Sequence, residues 1–242
     1  MDSKQIGILS IAGSLLKDLG NLFYPNNCII CHDGLARSEK VLCTACLYHI
    51  PRTRFWLTDD NPVAKIFWGR VRLEQACSFF YFARGSRYRK LLHLLKYRGR
   101  SEVGEYLGEV FGQELYKSEL YSNIDGIVPV PLHPKKLRIR GYNQAEVIAN
   151  GLSKAMGVPV INDVLIRNVF TQTQTRKNRA DRVKNVSGAF SVINSESVEG
   201  CHLLLVDDVV TTGATLEVCA QALLQSTNAK VSVATLAYAY SI

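Results

Sequence analysis

No stretch of this 242-residue chain approaches the ~20 consecutive apolar residues that a membrane-crossing helix requires, which argues against a membrane span. Internal repeats and low-complexity tails are also missing, which argues against a solenoid or a disordered array. Methionine occurs only at Met1 and Met156, so a thioether partner for a metal or haem is scarce. Acids are outnumbered, 21 against 29 basic residues, and none lies between Arg84 and Arg100. The opening segment lacks the basic start of a signal peptide: Asp2 and Asp18 flank its apolar residues. Ile8, Ile11, Leu15, Leu19, Leu22 and Phe23 recur at helical spacing, which predicts an amphipathic leading helix and a cytoplasmic protein.

What is present is ordinary globular composition, 47% hydrophobic and 21% charged, enough for one large core with a small satellite module. The net charge of +8 is concentrated. Arg84, Arg87, Arg89, Lys90, Lys96, Arg98 and Arg100 form one cluster. Lys135, Lys136, Arg138 and Arg140 form a second, and Arg176, Lys177, Arg179, Arg182 and Lys184 a third. Together they hold over half of the 29 basic side chains, which points to an anionic partner such as phosphate, pyrophosphate or a nucleic-acid backbone. A solvated basic face would account for one cluster, less readily for three.

Cys28-Ile29-Ile30-Cys31-His32 has the letters of a c-type haem attachment site, but a second C-x-x-C follows at Cys43 and Cys46. Two thiolate pairs at this spacing converge tetrahedrally on one Zn²⁺, and a reducing compartment disfavours disulfides. The expected ligands are therefore Cys28, Cys31, Cys43 and Cys46, with His32 and His49 as spare neighbours. A segment this short needs the metal for its folding energy. The expected organisation is a leading helix and zinc module over residues 1–60 and a second domain over 61–242. Cys77, Cys201 and Cys219 read as small buried hydrophobes.

Leu203 to Val206 is a short apolar run of the kind buried on both faces of a parallel sheet. It ends at Asp207-Asp208, then Thr211, Thr212, Gly213, Ala214 and Thr215, then a helical pattern. A turn of this kind at a helix N-terminus aims free N–H groups and the positive dipole end at one spot, where a phosphate fits. The adjacent acids suit sugar hydroxyls or a bridging cation at the open carboxyl edge of the sheet. A simple N-cap would explain one Asp and one Thr, not the whole D-D-x-x-T-T-G-x-T string.

This string resembles the phosphoribosyl pyrophosphate (PRPP) signature of type I phosphoribosyltransferases. With "LFYPNNCIICHDGL", "LLHLLKYRGR", "VPVPLHPKKLRIRGYNQAEVIA" and "RADRVKNVSGAF", the chain resembles the ComF family of competence-associated proteins along nearly its whole length. The resemblance implies an α/β fold with a parallel sheet, PRPP bound with Mg²⁺, and a 5′-phosphate held at residues 211–215. It implies Asp207 and Asp208 on the ribose, and a pyrophosphate-side loop carrying Lys135, Lys136, Arg138, Arg140, Gly141 and Asn143. It also implies a hood loop with Arg179, Arg182 and Asn185, and a link to single-stranded DNA and other DNA-uptake proteins.

Strands are expected near 77–83, 126–130, 159–161, 203–206 and 230–238, and an amphipathic helix over 144–156. The segment after Arg84 predicts a helix burying Leu91, Leu92, Leu94 and Leu95, with His93 as a core histidine. Arg84, Arg87, Lys96, Tyr97 and Arg98 interleave aromatic and basic residues as a single-stranded nucleic-acid surface does, or form a core rim. Three readings stay open: a phosphoribosyl-transferring enzyme with an unknown acceptor, a non-catalytic DNA-handling protein, and a structural adaptor. No residue must be a general base, although positioning and charge can carry a dissociative displacement.

Overall fold

The computed structural model describes residues 26–83, 85–168 and 189–239. The leading helix expected over 6–23, Arg84, and the hood residues Arg179, Arg182 and Asn185 lie outside them. By its internal contacts the chain divides into two units, residues 1–50 and 51–242.

In the first unit, Cys28 and Cys31 sit on a tight knuckle closed by bonds from Cys28 N–H to Asp33 O (2.8 Å) and His32 N–H to Cys28 O (2.9 Å). Cys43 caps helix α1 (Thr44–Tyr48), its sulfur accepting from Cys46 N–H. Glu39 ties the two knuckles' connection, accepting from Ala36 N–H and from both Thr44 N–H and Thr44 Oγ1.

The second unit is built on a parallel sheet. Its strands are β1 (Ala76–Tyr81), β2 (Gly126–Pro129), β5 (His202–Val210) and β6 (Lys230–Tyr238), in the order β1-β6-β5-β2. The expected strand at 159–161 is a single parallel bridge, Ile127 to Val160, on the outer side of β2. β2 is assigned to Pro129, and Val130 N–H still donates to Val206 O at 2.9 Å. A small antiparallel hairpin of β3 (Leu165–Arg167) and β4 (Phe190–Val192) was not anticipated; three-residue strands carry too little periodicity to read. The polar atoms inside the sheet pair with each other, Ser78 Oγ with Thr235 Oγ1 at 2.6 Å.

Among the described residues, six further α-helices accompany the sheet: α2 (Pro62–Phe67), α3 (Arg89–Tyr97), α4 (Ser101–Tyr116), α5 (Pro134–Arg140), α6 (Gln144–Met156) and α7 (Ala214–Ser226). Buried Asn61 starts α2, accepting from Val63 and Ala64 N–H and donating to Ala76 O. The α4–α6 contact is backbone-close. A Cβ on Gly108 would lie 2.3 Å from Ile148 O, and one on Gly151 2.1 Å from Glu105 O. Trp56 and Phe79 both pack on Phe111 of α4, with ring centroids 5.6 and 5.2 Å away, and this joins sheet to helix.

Three expectations need correction. Residues 134–140 are a helix, not a loop. Pro134 opens it, His133 Nδ1 accepts from Lys135 N–H, and Gly141 (φ 81°) closes it in a left-handed cap. His93 is exposed, because the buried stripe of α3 is Leu91, Leu92 and Leu95, with Leu94 only half-buried. Cys201 is half-buried, whereas Cys77 and Cys219 are fully buried as expected.

Candidate functional site

The four cysteines of the first unit converge. All four sulfurs lie within 4.8 Å of one another, and Cys31 Sγ is 3.6 Å from Cys43 Sγ. A tetrahedron of sulfurs at ~2.3 Å from Zn²⁺ has edges of about 3.8 Å, so the set is compatible with a zinc site. Burial opposes ionisation of Cys28, but backbone hydrogen bonds from Cys31, Cys43 and Ile30 outweigh it and lower its pKa to about 6. Burial and its thiol neighbours push Cys46 the other way.

In the second unit, β5 runs four residues past Val206, delivering Asp207 and Asp208 near its carboxyl end. The side chains of this strand alternate, so the two acids meet different surroundings. Asp208 is buried, and its Oδ2 is 3.0 Å from Lys96 Nζ at the end of α3. Asp207 Oδ1 accepts from the Asp208 N–H at 2.8 Å. Burial, and next the charge of Asp208, raise the Asp207 carboxyl to about 7, against the opposing pull of its N–H bond, Lys96 and Arg140.

The turn then exposes Thr211, Thr212, Ala214 and Thr215, while Gly213 is buried at φ 72°. The bare Cα of Gly213 faces the protein: a Cβ there would meet Ile66 Cγ2 at 2.7 Å and Phe67 Cε1 at 2.9 Å. No side chain caps the N-terminus of α7 at Gly213, so its first-turn N–H groups stay open to an anion. Arg70 fastens the turn from behind. Its Nη1 donates to Thr212 O and to Ile66 O, both at 3.0 Å, and its Nη2 pairs with Glu217.

The basic segment opposite comes from α5 and the start of α6. Arg140 Nη1 donates to Gln144 Oε1 at 2.6 Å, and its guanidinium lies 5.7 Å from the Tyr97 ring centre. Lys135, Lys136 and Arg138 are exposed. Asn143 caps α6 through Ala145 N–H and donates from Nδ2 to Val130 O at 3.0 Å, so both ends of its amide hold the segment's path. Tyr142 Oη donates to Leu95 O at 2.5 Å, joining this segment to α3.

The expected site residues thus divide. Asp207, Asp208 and Arg140 come together, with Lys96 and Tyr97 drawn in from the segment read as a nucleic-acid surface. Arg87 and Arg98 are exposed on or beside α3. Arg70 and Tyr142 were missed. Arg70 carries no local motif for this role, because Thr212 and Glu217 lie 142 and 147 residues away.

Among the described residues, no helix is long and apolar enough to cross a membrane. Residues 143–241 match the phosphoribosyl transferase domain family. The chain is 34% identical over 146 residues to the DNA utilization protein YhgH of Salmonella typhi, covering 59% of this chain and 63% of that protein. It is 38% identical over 93 residues to Competence protein F of Haemophilus influenzae, covering 38% of this chain and 41% of that one. To Competence protein ComFC of Bacillus subtilis it is 30% identical over 138 residues, covering 57% and 53%. The matches thus span about 63% or less of these relatives' own lengths. The parallel sheet, the domain match and these named relatives together make the chain similar to the ComF family of competence-associated proteins, with a phosphoribosyltransferase-type domain.

Proposed function

We propose that the second unit binds PRPP, or a closely related sugar phosphate, with Mg²⁺ and transfers its phosphoribosyl group to an acceptor. One observation carries this reading: a buried strand brings two carboxylates and an uncapped helix N-terminus to the same sheet edge, with the charge of Arg140, at the end of a basic helix, acting on Asp207. The turn at 211–215 would hold the 5′-phosphate through its open N–H groups and threonine hydroxyls. Asp207 and Asp208 would accept hydrogen bonds from the ribose hydroxyls. Lys135, Lys136, Arg138 and Arg140, with the backbone at Gly141 and the Asn143 segment, would face the pyrophosphate.

In the transfer, the acceptor's lone pair forms a bond to C1′ as the C1′–O bond breaks, and the electron pair leaves with pyrophosphate. The acceptor's proton passes to solvent or to the departing pyrophosphate. Asp207 and Asp208 could hold a Mg²⁺ beside the ligand, which would supply charge neutralisation for the leaving group. Cations and N–H groups already in place then stabilise the leaving charge without reorganising. Arg179, Arg182 and Asn185 complete the reading as a hood that excludes water.

The first unit is a zinc module in this reading, metal binding by its four thiolates supplying the folding energy of a short segment. The reading includes a cytoplasmic location; a role in handling DNA taken up by the cell is supported by the names of the relatives, one a DNA utilization protein and two competence proteins. The alternative is a non-catalytic single-stranded-DNA accessory protein working with other competence proteins, with Arg84, Arg87, Lys96, Tyr97 and Arg98 as the contact surface.

PRPP with Mg²⁺ is expected to raise the melting temperature, and the rise to vanish in Asp207→Asn/Asp208→Asn. No rise with the unsubstituted chain excludes the sugar-phosphate reading. Pyrophosphate release across a panel of nucleophiles then separates a transferase from an accessory protein.

A further inference from the structure

The last turn of α3 meets the site through three consecutive residues. Leu95 O accepts from Tyr142 Oη, on the segment leading into α6, at 2.5 Å. Lys96 Nζ lies 3.0 Å from Asp208 Oδ2. The ring centre of Tyr97 is 5.7 Å from the Arg140 guanidinium. Leu95 is fully buried, and the side chains of Lys96 and Asp208 are only 22% and 9% exposed. The ion pair therefore belongs to the wall of the site and is anchored by the turn that carries it.

The two oxygens of Asp208 differ. Oδ2 is taken by Lys96, whereas among the described residues no hydrogen bond reaches Oδ1, which keeps contact with solvent. An ammonium is a point donor and can fill one carboxylate oxygen, where a guanidinium fork covers both. A carboxylate without a partner turns about its second torsion, which is soft. One held at Oδ2 presents Oδ1 in a set direction.

We propose that Lys96 is a positioning residue for the sugar. By holding Oδ2 it aims Oδ1 of Asp208 at a ribose hydroxyl, and so gives the site its preference for a sugar phosphate over a phosphate alone. The inference rests on the sugar-phosphate reading and deepens it. Lys96 itself does not touch the ligand; it acts through Asp208.

The test measures binding of ribose 5-phosphate and of methyl phosphate to the full chain by calorimetry, without added Mg²⁺. The unsubstituted chain is expected to bind the sugar phosphate at least about tenfold more tightly, the difference that one hydrogen bond to a charged acceptor sustains. Lys96→Met is expected to remove most of that preference and to leave methyl phosphate affinity within about threefold. Asp208→Asn is expected to do the same, and adding Lys96→Met to it to lower the preference no further. Circular dichroism and melting verify each fold. Should Lys96→Met not fold, Lys96→Arg keeps the ion pair, and its fork, covering both oxygens, is expected to lower the preference as well.

A preference that survives the folded Lys96 variant overturns the proposal, as does an equal loss for both ligands. A further loss in the Asp208→Asn background also overturns it, because Lys96 would then act on the ligand directly. If the unsubstituted chain shows no preference for the sugar phosphate, the sugar-phosphate reading fails and takes this inference with it. If the preference exists but ignores Lys96, this inference alone fails.

Discussion

Lys96 Nζ lies 3.0 Å from Asp208 Oδ2, the ammonium of α3 meeting the second carboxylate of β5 across 112 residues of chain. The contact converts a residue of a basic surface helix into part of the sheet-edge site. Removing one partner of a largely buried pair leaves the other charge without its counter-ion. Lys96→Met is therefore expected to cost about 2 kcal/mol in urea unfolding. Adding Asp208→Asn to it should recover part of that loss. A double-mutant cycle measures the coupling, and strict additivity would show that the pair contributes nothing.

Asp207 sets a pH dependence. Its carboxyl is raised from the ordinary 3.8 to about 7, burial being the main cause. The folded chain thus binds this proton more tightly than the unfolded chain does. The stabilising contribution is complete below about pH 4 and is lost as the pH rises through about 7. Asp207→Asn, which carries no ionisable proton, should match the parent near pH 4 and gain in relative melting temperature up to pH 7. A difference that is flat with pH would contradict the raised carboxyl.

The phosphate turn should depend on its support from behind. Arg70→Ala removes the bonds to Thr212 O and Ile66 O and the pair with Glu217. Ribose 5-phosphate affinity is expected to drop about tenfold, with a melting shift of only a few degrees. Gly213→Ala should be more severe, because the new methyl combines a left-handed φ with a collision against Ile66 and Phe67. Unchanged phosphate affinity in both variants would remove the turn from the site.

Close helix contact makes a prediction independent of function. Gly108→Ala and Gly151→Ala each push a methyl into a backbone carbonyl of the facing helix. Each is expected to destabilise the second unit by about 1–3 kcal/mol, read from the midpoint of urea unfolding. Gly34→Ala serves as the control, since a methyl there meets nothing within 4 Å.

For the first unit, one Zn²⁺ per chain should be released by thiol modification. Cys28→Ser or Cys46→Ser should weaken metal binding at least about tenfold. Chain that binds no zinc when purified under reducing conditions would exclude the metal reading.

Much of this protein was legible along the chain. The strand carrying Asp207-Asp208, the turn at Gly213 and the four clustered cysteines are local patterns, in which spacing decides which side chains meet, although the strand runs on to Val210 beyond the expected 203–206. The strands and helix boundaries around 76–81, 126–129, 144–156 and 230–238 follow from periodicity and from caps such as Asn143. Tertiary structure alone decided the rest. Lys96 joins Asp208, Arg70 holds Thr212, and Gly108 admits Ile148, all through the long connections that parallel strands require. The turn of the basic segment into a helix depended on His133 and Gly141 acting together, a three-dimensional cap rather than a compositional signal. Sequence periodicity reports which face of an element is buried; only the packed sheet reports which distant charge it is buried against.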